Sequence, residues 1–219
     1  MCEIKKAVQR TGSVLLFAIV LIVCICLAIY AKPAQAQEAE LALISQNVIE
    51  DDGDLSPRII LEPYYYLTDR LGLWGYAYGE EEYASATVGP YYDFPFVNGE
   101  GLFEIGVAAG VETYPDDESG SYKYFSRFAG FASVDYKKFS FFSYYENGTS
   151  HDGWLRVFLD YHVTEHLALG VIHQTDDGTG PRITYTTATR IPLRIWVAPM
   201  FGEDDRVLMF SLEILFQKK

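Results

Sequence analysis

Past residue 36 the chain has no cysteine, since all three (Cys2, Cys24 and Cys26) lie near the N-terminus. Neither disulfide staples nor a structural thiolate metal site is open to the remainder. Positive charge is scarce as well. Four of the 17 Lys and Arg and one of the 30 Asp and Glu precede residue 37, leaving 13 against 29 and a net charge of −16. That balance excludes nucleic acid as a partner, because neutralising phosphates takes clustered cations. After residue 36 no apolar run approaches the length of a membrane-spanning helix, and no useful stretch repeats with a helical period. Helical bundles and helical membrane domains are thereby excluded for this part of the chain.

What is present begins with a basic start at Lys5, Lys6 and Arg10, followed by an apolar run over residues 14–30. Ala34 and Ala36 then frame a small-x-small exit before Gln37. This order describes a secretory signal peptide, residues 1–36, cleaved after Ala36; an uncleaved membrane anchor is the alternative. Cys24 and Cys26 lack the small-residue context of a lipidated cysteine. Residues 37–219 then form one domain by length.

The 17 Tyr and 14 Phe are spread through short segments of alternating character, separated by Gly, Asp, Asn and Pro. The alternation predicts an all-β fold. Twelve strands are expected, with ten or eight as alternatives, at 39–49, 57–67, 70–79, 83–94, 101–113, 122–134, 138–146, 153–163, 167–176, 181–189, 192–201 and 206–216. In the fifth, Phe103, Ile105, Val107, Ala109 and Val111 share one face while Glu104, Gly106, Ala108, Gly110 and Glu112 share the other. A soluble sandwich turns the apolar face inward; a membrane barrel turns it to lipid.

The connections bear on that choice. Acidic clusters at residues 50–52, 80–82, 116–118, 176–177 and 203–205 fall in alternate connections, which are expected to be the long ones. The intervening turns are tight and far less acidic, as expected for the two rims of an outer-membrane barrel. Signal-like start, cysteine-free body, alternating strands and the closing segment VLMFSLEILF together resemble Gram-negative outer-membrane β-barrel proteins. Here Phe216 is followed by Gln217, Lys218 and Lys219, where that class usually ends on an aromatic residue. The resemblance implies an antiparallel transmembrane β-barrel in the cell outer membrane, in contact with membrane lipid and lipopolysaccharide and inserted by the barrel-assembly machinery. It also implies a small channel or a structural barrel; a secreted soluble all-β binding protein is a further alternative.

Residues 173–178, HQTDDG, resemble the His-x-Ser-Asn-x-Gly stretch of outer-membrane phospholipase A and the lipid A deacylase barrels. That resemblance implies a lipid hydrolase with His173 as general base, Thr175 as nucleophile and Thr187 as orienting group. A hydroxyl nucleophile needs a base held by a partner that supports the imidazolium, and Thr187 brings no charge. A non-catalytic rim histidine is therefore expected. HVTEH, residues 162–166, satisfies His-x-x-Glu-His, but that zinc pattern needs helical spacing and here crosses from strand to turn. The inward faces carry Arg58, Glu62, Glu104, Glu112, Arg127, Arg156, Asp160, Arg182, Arg194 and Glu213. Such mixed charge suits a lumen sealed by ion pairs, or one lining a narrow polar pore. No cofactor is expected. Ca²⁺ or Mg²⁺ at the acidic loops is an alternative, though no cluster has the spacing of a ligand loop.

Overall fold

A computed structural model describes residues 39–81, 83–115, 122–148, 153–202 and 206–218. The signal-like segment and the acidic clusters at 116–118 and 203–205 lie outside the described residues, as does Glu82 of the cluster at 80–82. Twelve antiparallel strands follow one another: β1 (Ala39–Ile49), β2 (Leu55–Tyr66), β3 (Leu71–Gly79), β4 (Ala84–Phe96), β5 (Gly101–Pro115), β6 (Tyr122–Tyr136), β7 (Phe139–Gly148), β8 (Trp154–His162), β9 (Leu167–Gln174), β10 (Gly178–Thr186), β11 (Leu193–Phe201) and β12 (Arg206–Lys218). Each pairs with its sequence neighbours, and β1 pairs with β12 in a register from Ala39↔Lys218 to Ile49↔Leu208, which closes the sheet into a barrel. Closure leaves no unpaired edge, the one sheet arrangement that can satisfy its backbone groups in a bilayer.

The strands form because their side chains alternate. In β5, Ile105, Val107 and Val111 are exposed while Gly106, Ala108 and Glu112 are buried. In β11, Ile195 and Val197 face out while Trp196, Ala198 and Met200 face in. The outward set forms an apolar belt in which Val88, Val107 and Phe128 are each more than 60% exposed. So large an apolar surface on a soluble monomer would drive association; against lipid it is the expected exterior.

Proline fits the barrel where the ladder is broken. Pairing is interrupted between β2 and β3 at residues 62 and 63, between β4 and β5 at 89 and 90, and between β10 and β11 at 180–182. Each gap contains a proline (Pro63, Pro90, Pro181), which has no N–H to donate.

The connections differ from expectation in one respect. Those at the acidic end, 50–54, 80–83 and 175–177, have five, four and three residues, against four, four and six for the turns 67–70, 163–166 and 187–192 at the other. Strand pairing runs further into the acidic segments than alternation indicated, β10 beginning at Gly178 rather than 181. Acidic side chains hold these short turns: Asp52 Oδ1 accepts from Asp54 N (3.0 Å), and Glu50 Oε1 from Ser56 Oγ (3.0 Å).

Arginine at an outward mid-strand position is expected to block assembly. Val157→Arg or Ile195→Arg should each cost ~2–4 kcal/mol at the bilayer midplane. Ala108→Ser, on the inward face, should assemble normally. Heat-modifiable migration of membrane extracts separates the two outcomes.

Candidate functional site

The lumen is filled by its own side chains. Tyr64, Trp74, Tyr91, Phe131 and Tyr144 meet edge to face across the barrel, with centroid distances from 4.7 Å for Trp74–Phe131 to 6.1 Å for Trp74–Tyr144. Tyr76 stacks on Tyr144 at 4.3 Å. All of these rings but Tyr64, which packs against it half-buried, belong to one buried cluster with Ile44, Ile60, Ala108 and Ala129. A second buried cluster, of Val48, Ile172, Trp196, Ala198, Met200 and Met209, lies against β9, β11 and β12. Edge-to-face geometry aims ring hydrogens at π-faces and adds about 0.5–1.5 kcal/mol per pair beyond burial.

Four arginines in this interior, Arg58, Arg127, Arg182 and Arg194, are paired with carboxylates. Arg127 on β6 donates to Glu112 on β5 and, at 2.6 Å, to Glu146 on β7; all three are buried. Arg182 is bonded to Asp160 and lies 3.8 Å over the Phe158 ring. Arg194 donates to Glu213 (3.0 Å), which also accepts from Trp196 Nε1 (2.7 Å). Arg156 has amide partners, Gln174 Oε1 (2.9 Å) and Gln46 Oε1 (2.8 Å), with its guanidinium 4.9 Å over Trp154. Glu104 accepts from Ser133 Oγ and pairs across β4 with Asp93. Glu62 shares the inward side with Glu213. Six of the ten charged residues picked out by alternation thus bond to one another, as Arg127–Glu112, Arg182–Asp160 and Arg194–Glu213, while Arg58, Arg127 and Arg156 also reach residues the pattern did not single out, namely Asp177, Glu146, Gln46 and Gln174.

Asp177 is the clearest of those. It belongs to an acidic cluster that reads as a solvated loop, yet it is 7% exposed. The three-residue turn 175–177 folds over the lumen, and Asp177 accepts a bidentate pair from Arg58 at 2.7 and 3.3 Å. Gln174 Nε2 donates to it as well. The turn requires left-handed backbone at Asp176 (φ 73°) and Gly178 (φ 94°), the first tolerated by Asp and the second natural to Gly.

Beneath this turn a cavity of 370 Å³ opens at the acidic mouth, lined by Arg58, Tyr78, Glu80, Tyr83, Tyr114, Arg127, Glu146, Gly153, Trp154, Thr175, Asp176 and Asp177. The side chains come from widely separated segments, which is why no local motif marks the cavity.

The structure does not assemble the three residues that local resemblance placed together. His173 is on the outward face, half-buried, beside exposed Leu169 and Val171. Its Nδ1 is 2.9 Å from Thr179 Oγ1, not from Thr175. Thr175 does not continue the strand that carries His173. Because β9 ends at Gln174, it sits in the turn instead, where its hydroxyl accepts from Leu155 N (2.9 Å) and donates to Leu155 O (3.3 Å). Thr187 lies past the end of β10, accepting from Leu193 N (3.0 Å). The residue opposite His173 is Thr179, eight positions before Thr187, so Thr187 is displaced by roughly 26 Å along the strand. The strand positions flanking the His173–Thr179 pair are Val157 and Phe201, neither of which can orient an imidazole.

The two histidines of the HVTEH stretch also part. His162 ends β8, with Nε2 3.0 Å from Ser140 Oγ, while His166 lies in the following turn against Tyr185. Among the described residues no group of three or more His, Asp or Glu is placed to hold a metal ion.

No family model matches the sequence, and no curated protein matches it. Solved structures do match. An outer-membrane channel from Pseudomonas putida F1 superposes with a TM-score of 0.54 at 15% identity, covering 85% of this chain and 97% of that one. The KdgM porin in complex with disordered oligogalacturonate gives 0.51 at 11% identity, covering 80% and 99%. Outer-membrane phospholipase A from Escherichia coli gives 0.49 at 9% identity, covering 81% and 89%. The chain has the fold of an outer-membrane β-barrel.

Proposed function

We infer that the chain is exported with loss of residues 1–36 and inserts in the outer membrane as a structural barrel without an open pore. The observation that supports this is the interior. Aromatic side chains from β2, β3, β4, β6 and β7 meet across the lumen, and the remaining sector is occupied by Trp196, Met200, Met209 and the paired arginines. A diffusion channel needs a continuous wet path with charges facing water. Here Arg127, Arg182 and Arg194 are each held by carboxylates, and Arg156 by two amides. The acidic end points outward and both barrel termini, Ala39 and Lys218, lie at the opposite end.

The test is electrical. Purified protein in planar bilayers is expected to give no steps of ionic conductance above the lipid baseline, and regular steps in potassium chloride would overturn the reading. The same preparation should release no fatty acid from phospholipid. The outward His173–Thr179 pair has the base and hydroxyl of a hydrolase but no charged third member, and Thr179 carries a methyl beside its oxygen.

A further inference from the structure

The cavity at the acidic mouth is not consumed by the sealing of the barrel. Its volume of 370 Å³ is at the small end of the range for small-molecule sites. Its described lining carries two guanidinium groups, Arg58 and Arg127, and four carboxylates, Glu80, Glu146, Asp176 and Asp177, a formal excess of two negative charges. Four aromatic residues, Tyr78, Tyr83, Tyr114 and Trp154, form the rest of the wall, with Tyr83 4.9 Å from Tyr114 and 5.7 Å from Tyr78.

Three properties of this wall select an occupant. The charge excess, beneath a rim of acidic turns, opposes anions and concentrates cations at the mouth. A carboxylate can accept about four hydrogen bonds. Glu146 takes one from Arg127 and one from Tyr144, and Glu80 takes one from Tyr78, so both carboxylates keep acceptor capacity, while Arg58 Nε and Arg127 Nε are the wall's buried donors without a hydrogen-bond partner. The aromatic faces already hold cations, Arg127 lying 5.6 Å over Tyr83 and Arg156 4.9 Å over Trp154. A ring that stacks a guanidinium also favours an ammonium group. Among the described residues no three His, Asp or Glu side chains are grouped to hold a bare metal ion.

We propose that this cavity binds a small organic cation, an amine with a short carbon skeleton. Its ammonium group is held by Glu80 and Asp176, and its methylenes lie against Tyr78, Tyr83 and Tyr114. The outward direction of the mouth rests on the functional reading above, but binding itself does not. A conducting barrel that takes the amine would end the first and leave the second standing.

The experiment is calorimetric titration of the detergent-solubilised barrel with 1,4-diaminobutane, and in parallel with glucose, galacturonate and calcium chloride. Saturable binding of the diamine alone, weakening as sodium chloride is raised, is the expected result. Asp176→Asn and Glu80→Gln should each weaken it about tenfold, the loss of a charge-assisted hydrogen bond. Asn tolerates the left-handed backbone at position 176, so that variant should keep the heat-modifiable migration of the parent. Equal or tighter binding of glucose, galacturonate or calcium, no binding of the diamine, or unchanged binding in both variants would each overturn the proposal.

Discussion

Replacing Arg127 by methionine is expected to leave almost no heat-modifiable barrel in membrane extracts. The guanidinium is 3% exposed and answers two carboxylates, Glu112 and Glu146, that are 0% and 5% exposed. Removing it leaves Glu112, buried behind the cavity wall, and Glu146, on that wall, without the cation they share. Breaking a buried pair in this way costs about 3–5 kcal/mol, a large share of ordinary barrel or domain stability. The replacement itself is not the cause, since methionine fills much of the same volume. The triple variant R127M/E112Q/E146Q, which removes all three charges, should therefore recover most of the folded fraction. A shift in the urea midpoint of refolded protein gives the size of both effects. Normal assembly of the single variant would mean that the three groups are not mutually dependent.

Truncating the aromatic layer should have the second large effect. Trp74 touches both Phe131 and Tyr144, and Tyr144 stacks on Tyr76, so Trp74→Ala with Tyr144→Ala removes the centre of the transluminal contact. Each truncation costs about 3–5 kcal/mol in a packed core. The space left is flanked by the charges of Arg127, Glu146 and Arg156 and should admit water. Variants that survive assembly are expected to show conductance steps that the parent lacks, with some cation preference from the acidic mouth. A silent bilayer with correctly folded double variant would place the seal elsewhere in the lumen.

Much of this architecture can be read from residue order because a strand has period two. Most strand limits agree with the alternation to within one to three residues, and the facing of β5, β8, β11 and β12 follows directly from which residues alternate. The misplacements have physical causes. Gly178 and Gly180 look like a turn, yet β10 already runs through them into Pro181, where the ladder to β11 is interrupted. His173 stands opposite Thr179, eight positions before the Thr187 that the resemblance implied, so the three residues of a hydrolase site are not brought together. The cavity was less legible still. Asp177 counts as one more acidic loop residue until the turn is seen to fold inward onto Arg58, a residue 119 positions away in the chain. Long-range pairings of that kind have no signature in spacing.

The seam between β1 and β12 sets the order of events when the protein is made. Every other strand finds its neighbour in the adjacent hairpin, but Ala39 meets Lys218 and Ile49 meets Leu208 across nearly the whole chain. Contacts at such separation are the slowest to form. Until they do, the growing sheet carries two open edges, each a template for pairing with any other strand. A chain halted before Arg206 would keep both, with its apolar belt already assembled around them. An unclosed chain thus offers both edges to any neighbouring strand, and the last thirteen-residue strand is the one that removes them.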